Sequence, residues 1–174
     1  MKIPSRKQYS INGLMAMISY LGQYRDLSKL RLVEIGSWIG TSACIFARYF
    51  KEILCIDPFK IVRGTITENF DMETVYNRFI ANISKYKNIT HLKHTSFDVL
   101  PNFRKKEIDI IYIDGSHIYE DVLKDIELAK QKVRYFICGH DYWPERFPGV
   151  VDAVGEVIGK PDRIFVDTSW IKAV

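Results

Sequence analysis

The chain has 174 residues, of which 47% are hydrophobic and 13% aromatic, so it is long enough for one well-buried core and too short for two comfortable domains. We therefore expect a single domain over residues 1–174. Lysine and arginine number 25 against 21 aspartates and glutamates, and the basic residues are scattered, with the nearest approach to a cluster at Lys2, Arg6 and Lys7. Such a balance is typical of a solvated surface and disfavours nucleic acid as a partner.

The start of the chain and its cysteines indicate the compartment. Residues 1–10 are mostly polar and lack the apolar core of a signal peptide, and no run approaches the roughly 20 apolar residues of a membrane span. Cys44, Cys55 and Cys138 all lie inside apolar runs, which predicts buried free thiols rather than disulfides or a metal cage. We therefore expect a cytoplasmic protein with no membrane partner.

The first elements are a helix and a buried strand. Apolar side chains recur at helical spacing over about residues 10–24, and Ser10 or Asn12 can cap this helix. Leu30–Ile35 is a short apolar run rich in branched side chains. This composition predicts a strand that is buried on both faces.

A glycine turn follows this strand. Gly36 and Gly40 permit close backbone approach, and a helical pattern runs from Thr41 to about residue 50. Such a turn aims unpaired helix N–H groups at a ligand and can hold a carboxylate or a phosphate. Glu34, two residues before the turn, would repel a pyrophosphate but attract an ammonium group, so the ligand that fits best is zwitterionic. A turn that only packs a βαβ unit is the alternative.

An acidic residue ends the next strand. Ile53–Ile56 has the composition of a buried strand, and Asp57 follows it, about twenty residues after the glycine turn. At that point of a nucleotide-binding α/β unit an acidic side chain meets ribose hydroxyls. A ribose and an amino-acid-like group together indicate S-adenosylmethionine. An NAD-dependent oxidoreductase is disfavoured, because the turn lacks the spacing of the usual third glycine.

The remaining elements alternate between helices and strands. An irregular loop over residues 59–72 fits either a disordered segment or a lid over the site. After it the pattern predicts, in order, a helix over Thr74–Tyr86, a strand over Ile89–Ser96, a short helix over Asp98–Arg104, a strand over Ile108–Ile113, a helix over Val122–Val133, a strand over Tyr135–Cys138, a helix over Val150–Ile158 and two short strands within Arg163–Val174. This order predicts an α/β fold with a parallel doubly wound sheet and an antiparallel strand at one edge.

Acidic and histidine side chains gather where the predicted strands end. Ligands of open α/β sheets bind beyond the carboxyl ends of the strands. The residues at or just after these ends are Glu34, Asp57, Asp114, His117, His140 and Asp141. Carboxylates on one rim repel each other unless a positive charge lies between them, and a sulfonium cofactor, a divalent cation or both would supply it.

Four segments resemble one methyltransferase family. IDGSHIYEDVLKDI at Ile113–Ile126 and GHDYW at Gly139–Trp143 are similar to signature segments of methyltransferase domain 24, a class I S-adenosylmethionine-dependent family whose members include small-molecule and sugar O-methyltransferases. VLP at Val99–Pro101 and PGVVDAVGEVI at Pro148–Ile158 agree with it in order and spacing. The resemblance implies a three-layer Rossmann-like methyltransferase fold, with a mostly parallel seven-stranded sheet, an antiparallel edge strand and S-adenosylmethionine as cofactor.

The resemblance also assigns the cofactor site. Asp57 corresponds to the ribose ligand, and Asp114 contributes at the end of the fourth strand. Thr95 stands where the family commonly has an acidic residue that positions the adenine, and the hydroxyls of Thr95 and Ser96 can still bind the ring. The alternative is that both are ordinary polar groups at the end of a strand. The residues that resemble the methionine end of the site are Glu34, Gly36, Ser37, Gly40, Thr41 and Ser42.

A metal or a histidine would activate the acceptor. Asp114, His140 and Asp141 resemble the magnesium site of catechol-type O-methyltransferases, and His117 falls where those enzymes place a lysine base. A metal lowers the pKa of an acceptor hydroxyl, whereas His117 or His140 can remove the proton directly. Because magnesium prefers oxygen ligands, His140 shifts the expectation toward manganese. The alternatives are that His117 caps the next helix and that His140 bonds within its own loop.

Together these features predict an O-methyltransferase that acts on a hydroxyl of a saccharide or related polyol, with help from a divalent cation. Tyr142, Trp143 and Phe147 are either an aromatic wall for the acceptor or packing anchors. We expect the acceptor side to be open or completed by a second subunit, as in a homo-oligomer. The alternatives are a silent S-adenosylmethionine-binding module and a non-sugar acceptor. A nucleic-acid N-methyltransferase is disfavoured, because Ile113–Ser116 is not the Asn/Asp-Pro-Pro-aromatic motif of those enzymes.

Overall fold

A seven-stranded sheet forms the centre of the molecule. The computed structural model describes residues 3–4, 6–62 and 65–174. In chain order the strands of this part are β1 (Arg31–Ile35), β2 (Glu52–Ile56), β3 (Ile89–Leu92), β4 (Ile108–Ile113), β5 (Val133–Gly139), β6 (Arg163–Ile164) and β7 (Trp170–Ala173). Their order across the sheet is β3-β2-β1-β4-β5-β7-β6. Strands β1 to β5 pair in parallel, whereas β7 is antiparallel to both β5 and β6. The predicted mostly parallel sheet with its antiparallel strand is confirmed.

Helices cover both faces of the sheet. They are α1 (Gln8–Gly22), α2 (Thr41–Phe46), α3 (Met72–Ile83), α4 (Ser96–Val99), α5 (Tyr119–Lys132) and α6 (Pro148–Ile158). Alternate residues of β1 enter two separate cores, with Leu32 in the core of α1, α2 and α3, and Val33 in the core of α5 and α6. The result is the expected three-layer Rossmann-like architecture. No helix in the described ranges is long and apolar enough to cross a membrane.

Helix α1 begins earlier than its pattern indicates. Its N-cap is Lys7, which makes no side-chain capping bond, so the predicted caps at Ser10 and Asn12 are wrong. Ser10 lies buried inside the helix, and the Asn12 side chain accepts a 3.0 Å hydrogen bond from Gln8 one turn earlier. The polar residues that looked like a cap therefore belong to the first turns of the helix.

Side-chain hydrogen bonds shorten two other predicted elements. The strand predicted over Ile89–Ser96 ends at Leu92, because Thr95 becomes the N-cap of α4 and accepts from the Asp98 amide. Helix α2 ends at Phe46 rather than near residue 50. There the Asn88 amide donates to the Ala47 and Phe50 carbonyls at 2.9 and 3.0 Å, which satisfies the carbonyls of a tight turn.

The loop after β2 contains one short ordered turn. Residues 66–69 form a 3₁₀ turn that is capped by the Thr65 side chain, which accepts from the Thr67 amide. Both threonine hydroxyls also donate to the Val62 carbonyl. Gly64, which the sequence pattern places within this loop, lies outside the described residues. The lid role of this loop stays a prediction.

The three cysteines are free thiols, as predicted. Cys55 and Cys138 are 1% exposed, whereas Cys44 is only partly buried and donates to the Asn82 carbonyl. Burial raises the pKa of each thiol and so disfavours the reactive thiolate.

We expect a thiol reagent such as Ellman's reagent to modify at most one cysteine of the native protein, slowly, at Cys44. In denaturant it should modify all three. A native protein in which two thiols react rapidly would contradict the burial described for Cys55 and Cys138.

Candidate functional site

A cavity of about 880 Å³ opens at the carboxyl ends of the central parallel strands. All of the residues predicted for the site line it except Glu34 and Gly40. The cavity therefore joins the glycine turn after β1 and Asp57 after β2 to the residues that follow β4 and β5. Its volume is within the range of pockets that enclose small-molecule ligands, roughly 300–1,000 Å³.

The glycine turn depends on a close approach between β1 and β4. Gly36 has φ +80°, and a Cβ there would overlap the Asp114 carbonyl group. Gly40 has φ +78°, and its Cβ would lie 3.0 Å from the Phe79 ring, so it packs against α3 instead of lining the cavity. Trp38 between them also has a positive φ, +49°. The backbone of the turn is thus held at positive φ angles, which residues other than glycine rarely adopt.

Asp57 fastens the glycine turn to β2. Its Oδ2 accepts from the amides of Ser37 and Trp38 at 2.9 and 3.0 Å, and its Oδ1 accepts from the Phe59 amide at 2.7 Å. Burial raises the pKa of Asp57, and these amide bonds oppose the shift. The two turn amides are thus occupied by the protein itself. A carboxylate has about four lone-pair sites, so Asp57 can still accept a ribose hydroxyl.

Glu34 lies beneath the turn and is fully buried. Ser37 Oγ donates to its Oε2 at 2.7 Å, whereas Oε1 has no hydrogen-bond partner among the described residues. Burial raises the pKa of Glu34. An unpaired carboxylate oxygen in a buried position favours a nearby positive charge.

The end of the cavity near β3 is occupied by hydroxyls and a buried carboxyl. Thr95 Oγ1 donates to Asp98 Oδ2 at 2.6 Å as part of the α4 cap, and Ser96 Oγ donates to Asp125. Asp125 lines the cavity from α5, is 3% exposed and has a pKa that burial raises to about 7. Asp125 belongs to the Ile113–Ile126 segment that resembles the family, but it was not predicted as a site residue. The feature of the sequence that could have indicated its role is an acidic residue on the otherwise apolar, buried face of α5.

This raised pKa predicts a pH-dependent effect of the Asp125→Asn substitution on stability. Between about pH 4 and 7 the folded protein keeps a proton that the unfolded chain has lost, so wild-type stability falls as pH rises through that range. The loss from pH 5 to pH 8 is on the order of 3 kcal/mol. The melting temperature of the variant minus that of the wild type should therefore increase by about 5 °C or more between these pH values. Asp152→Asn, on the exposed face of α6, is the matched control, and parallel melting curves for Asp125→Asn would contradict the assignment.

Three aspartates surround His140 at the end of β5. His140 Nδ1 lies 3.0 Å from Asp141 Oδ1 and 3.9 Å from Asp114 Oδ1, and its Nε2 lies 3.5 Å from Asp167 Oδ2 without hydrogen-bond geometry. Burial opposes a charge on His140, but these carboxylates outweigh it and raise its pKa to about 10. His140 is therefore an imidazolium at neutral pH, a poor proton acceptor.

Asp167 was not predicted as a site residue. It is 1% exposed and lines the cavity from the turn before β7, where it also accepts from the Ser169 amide and hydroxyl. A Cβ on Gly13 of α1 would overlap the Asp167 side chain. A glycine in the middle of α1 thus makes room for the carboxylate that faces His140.

His117 is the more accessible histidine. Its Nε2 lies 2.7 Å from Asp141 Oδ2, its ring packs 4.3 Å from the Phe147 ring and its side chain is 35% exposed. Burial opposes ionisation of Asp141, but His117 and His140 hold its pKa below the usual range. Because Asp141 binds Nε2, Nδ1 of His117 is the atom that can accept a proton. His117 does not cap α5, whose N-cap is Ile118.

A divalent cation fits the donor set at the ends of β4 and β5. Ligand atoms of Asp114, His140 and Asp141 lie within 4.8 Å of one another. Two carboxylates and one imidazole would suit manganese better than magnesium. To ligate the metal, His140 would have to lose its second proton.

Arg6 was not predicted as a site residue and was named only with Lys2 and Lys7 as the nearest approach to a basic cluster, but it lines the cavity. Its guanidinium forms an ion pair with Asp114 and donates to the Tyr112 hydroxyl at 3.2 Å, and its side chain is 13% exposed. Burial opposes the charge on Arg6, but Tyr112, Asp114 and Glu34 outweigh it and raise its pKa above the ordinary value. No local pattern pointed to a contact across 108 residues of sequence.

Two of the three predicted aromatic residues face the cavity. Trp143, which is 41% exposed, and Phe147 line it, and Arg146 lies over both rings. Tyr142 instead packs against the core between the sheet and α6. The aromatic wall therefore consists of Trp143 and Phe147.

The strand order, the glycine turn after β1 and the acidic residues at the strand ends define the architecture of the class I S-adenosylmethionine-dependent methyltransferases. The sequence profile of a family described as a methyltransferase domain matches residues 33–142, and the chain belongs to this family, as its motifs predicted. One similar protein is R132 of Acanthamoeba polyphaga mimivirus, which is 32% identical over 142 residues, covering 74% of this chain. The chain spans 59% and 13% of the curated relatives that it matches.

Solved methyltransferase structures share the fold. CalS11, described as a TDP-rhamnose 3'-O-methyltransferase of calicheamicin biosynthesis, superposes with a TM-score of 0.63 at 14% identity, over 96% of this chain and 81% of its own. The O-methyltransferase NovP superposes with a TM-score of 0.66 at 18% identity, over 94% of this chain and 78% of its own. At these sequence identities the structural similarity establishes the fold of the chain.

Proposed function

We propose that this protein is an S-adenosylmethionine-dependent O-methyltransferase that methylates a hydroxyl of a saccharide or related polyol. The main support for this proposal is that a single cavity is lined by the glycine turn, Asp57, His117 and Asp141. Membership of the methyltransferase domain family supports the choice of cofactor. The sugar methyltransferase CalS11, which shares the fold, supports the choice of acceptor.

The cofactor would lie across the carboxyl ends of β1 and β2. Glu34 and Asp114 supply negative charge toward the methionine ammonium group, and Asp57 accepts from the ribose hydroxyls. Ser96 and Asp125 face the adenine end, where an acidic group is expected. When bound, S-adenosylmethionine supplies a methyl group that its sulfonium already activates.

His117 serves as the general base. Nδ1 of His117 would take the hydroxyl proton of the acceptor, whose oxygen would then receive the methyl group that S-adenosylmethionine supplies, with S-adenosylhomocysteine leaving. Asp141 holds the ring through Nε2 and stabilises the imidazolium that forms. Without a metal, His140 is a fixed cation between Asp141 and Asp167 and orients these carboxylates.

A divalent cation would be held by Asp114, His140 and Asp141. It would lower the pKa of the acceptor hydroxyl and orient a vicinal diol. We expect manganese to serve better than magnesium.

The acceptor would enter past Trp143 and Phe147. The exposure of Trp143, at 41%, and of Val166, at 82%, on the cavity wall fits an acceptor side that is open or covered by a second copy of the chain. Aromatic faces suit the apolar face of a sugar ring. A non-sugar diol is the second candidate acceptor.

Methyl transfer from labelled S-adenosylmethionine to a panel of free and nucleotide-linked sugars and aromatic diols tests the proposal. We expect turnover with at least one saccharide, reduced by a chelator and restored best by manganese. Turnover with aromatic diols alone would overturn the saccharide assignment. Binding of S-adenosylhomocysteine without turnover of any acceptor would instead support a silent binding module.

A further inference from the structure

Pro4 and Arg6 close the cavity on the side of the glycine turn. The Pro4 carbonyl accepts a 3.0 Å hydrogen bond from Trp38 Nε1, which fastens this segment to the turn. Arg6 then reaches inward, and its guanidinium binds Asp114 and the Tyr112 hydroxyl. Pro4 and Arg6 both line the cavity. The site therefore includes a cation from outside the part of the chain that matches the family profile.

The charges near the glycine turn leave the carboxylate of a zwitterionic ligand without an obvious partner. Glu34 and Asp114 attract an ammonium group but repel a carboxylate. The amides of Ser37 and Trp38, which such a turn could offer to an anion, already bind Asp57 at 2.9 and 3.0 Å. Thr41 and Ser42 still line the cavity and can donate hydrogen bonds, but only a positive side chain would neutralise the charge of a carboxylate bound here.

Arg6 is the cation best placed for this role. The lysine and arginine side chains that line the described cavity are Arg6, Lys7, Lys60 and Arg146, and the protonated His140 is already surrounded by three aspartates. Arg146 lies over Trp143 and Phe147 at the acceptor end, and Lys60 lies in the loop after β2. Arg6 is the one that is paired with Asp114 beneath the turn. A guanidinium can bind a carboxylate through two parallel hydrogen bonds.

We propose that Arg6 binds the carboxylate of the methionine portion of S-adenosylmethionine, and this inference rests on the proposed function. On binding, Arg6 exchanges the Asp114 carboxylate for that of the cofactor, and Asp114 is released to the cofactor's ammonium group. Each charge keeps an opposite partner throughout the exchange. Arg6 is thus a cofactor-binding residue that distinguishes a complete methionine portion from one without its carboxylate.

Calorimetry with three ligands tests the proposal. Decarboxylated S-adenosylmethionine lacks only the carboxylate, and 5'-methylthioadenosine lacks the whole amino-acid part. We expect Arg6→Gln to weaken binding of S-adenosylmethionine by about 10- to 150-fold, as for loss of a charged hydrogen-bonded pair. Binding of the other two ligands should change by less than about threefold. Arg6→Lys should retain part of the preference for the carboxylate, and Arg25→Gln, on the Tyr135 ring, is the matched control.

Three outcomes would overturn the proposal. Equal weakening of all three ligands by Arg6→Gln would make Arg6 a structural residue. Tighter binding of all three ligands to Arg6→Gln would indicate that the Arg6 side chain only blocks the cavity. A wild-type protein that binds these ligands but does not prefer the carboxylate would also exclude the role. If the wild type binds none of the three, the proposed function itself fails and this inference fails with it.

Discussion

Replacing His117 by glutamine should lower kcat by about 10²- to 10⁴-fold, the usual contribution of a positioned general base. Glutamine keeps a hydrogen-bonding group near Asp141 but cannot take the acceptor proton. Because His117 lies at the acceptor end of the cavity, the affinity for S-adenosylhomocysteine should stay within about threefold of wild type. Steady-state kinetics and calorimetry on the same preparation measure both quantities.

Control variants separate this role from a general disturbance of the site. His94→Gln changes an exposed histidine outside the main cavity and should leave kcat unchanged. If His117→Gln retains wild-type kcat while a chelator abolishes turnover, the metal rather than the histidine activates the hydroxyl. That result would contradict the assignment of His117 as the base.

Replacing Gly36 by alanine should destabilise the protein by about 3–5 kcal/mol, a size reserved for severe backbone and packing conflicts. The residue has φ +80°, which costs any L side chain energy, and the new Cβ would overlap the Asp114 carbonyl. Because Asp114 directly follows β4, relief of the overlap would separate β1 from β4 under the cofactor site. Urea denaturation measures the change.

Gly155 provides the matched glycine control. It lies within α6, and a Cβ there would meet no atom within 4 Å. Gly155→Ala should therefore leave stability unchanged or raise it by up to about 1 kcal/mol. A Gly36→Ala protein within about 1 kcal/mol of wild type would show that the close approach of the two strands is not required.

The sequence predicted the sheet and the main positions of the site because both follow from local patterns. Apolar runs of strand length predicted the parallel strands, and polar residues after them necessarily meet at one edge of the sheet. Asp57, Asp114 and Asp141 were predicted in this way, and all three line the cavity. The glycine turn was predicted from the spacing of Gly36 and Gly40, although only the structure shows that Gly40 packs against α3 instead of lining the cavity.

The cavity residues that were not predicted are brought to the site by contacts between segments that are distant in sequence. Arg6 meets Asp114 across 108 positions, and Asp167 reaches His140 past a glycine of α1. Asp125 occupies a buried helical position where an apolar residue would fit the pattern equally well. The protonation state of His140 depends on three aspartates from different segments, so no sequence motif could have predicted it.

A crystal structure of the protein with S-adenosylhomocysteine would show directly whether the cofactor binds in this cavity with its sulfur toward His117. We expect the amino-acid portion between the glycine turn and Asp114, the ribose hydroxyls on Asp57 and the sulfur facing the space beside His117 and Asp141. A ligand whose sulfur points away from these two residues, or one that binds outside the cavity, would contradict the account.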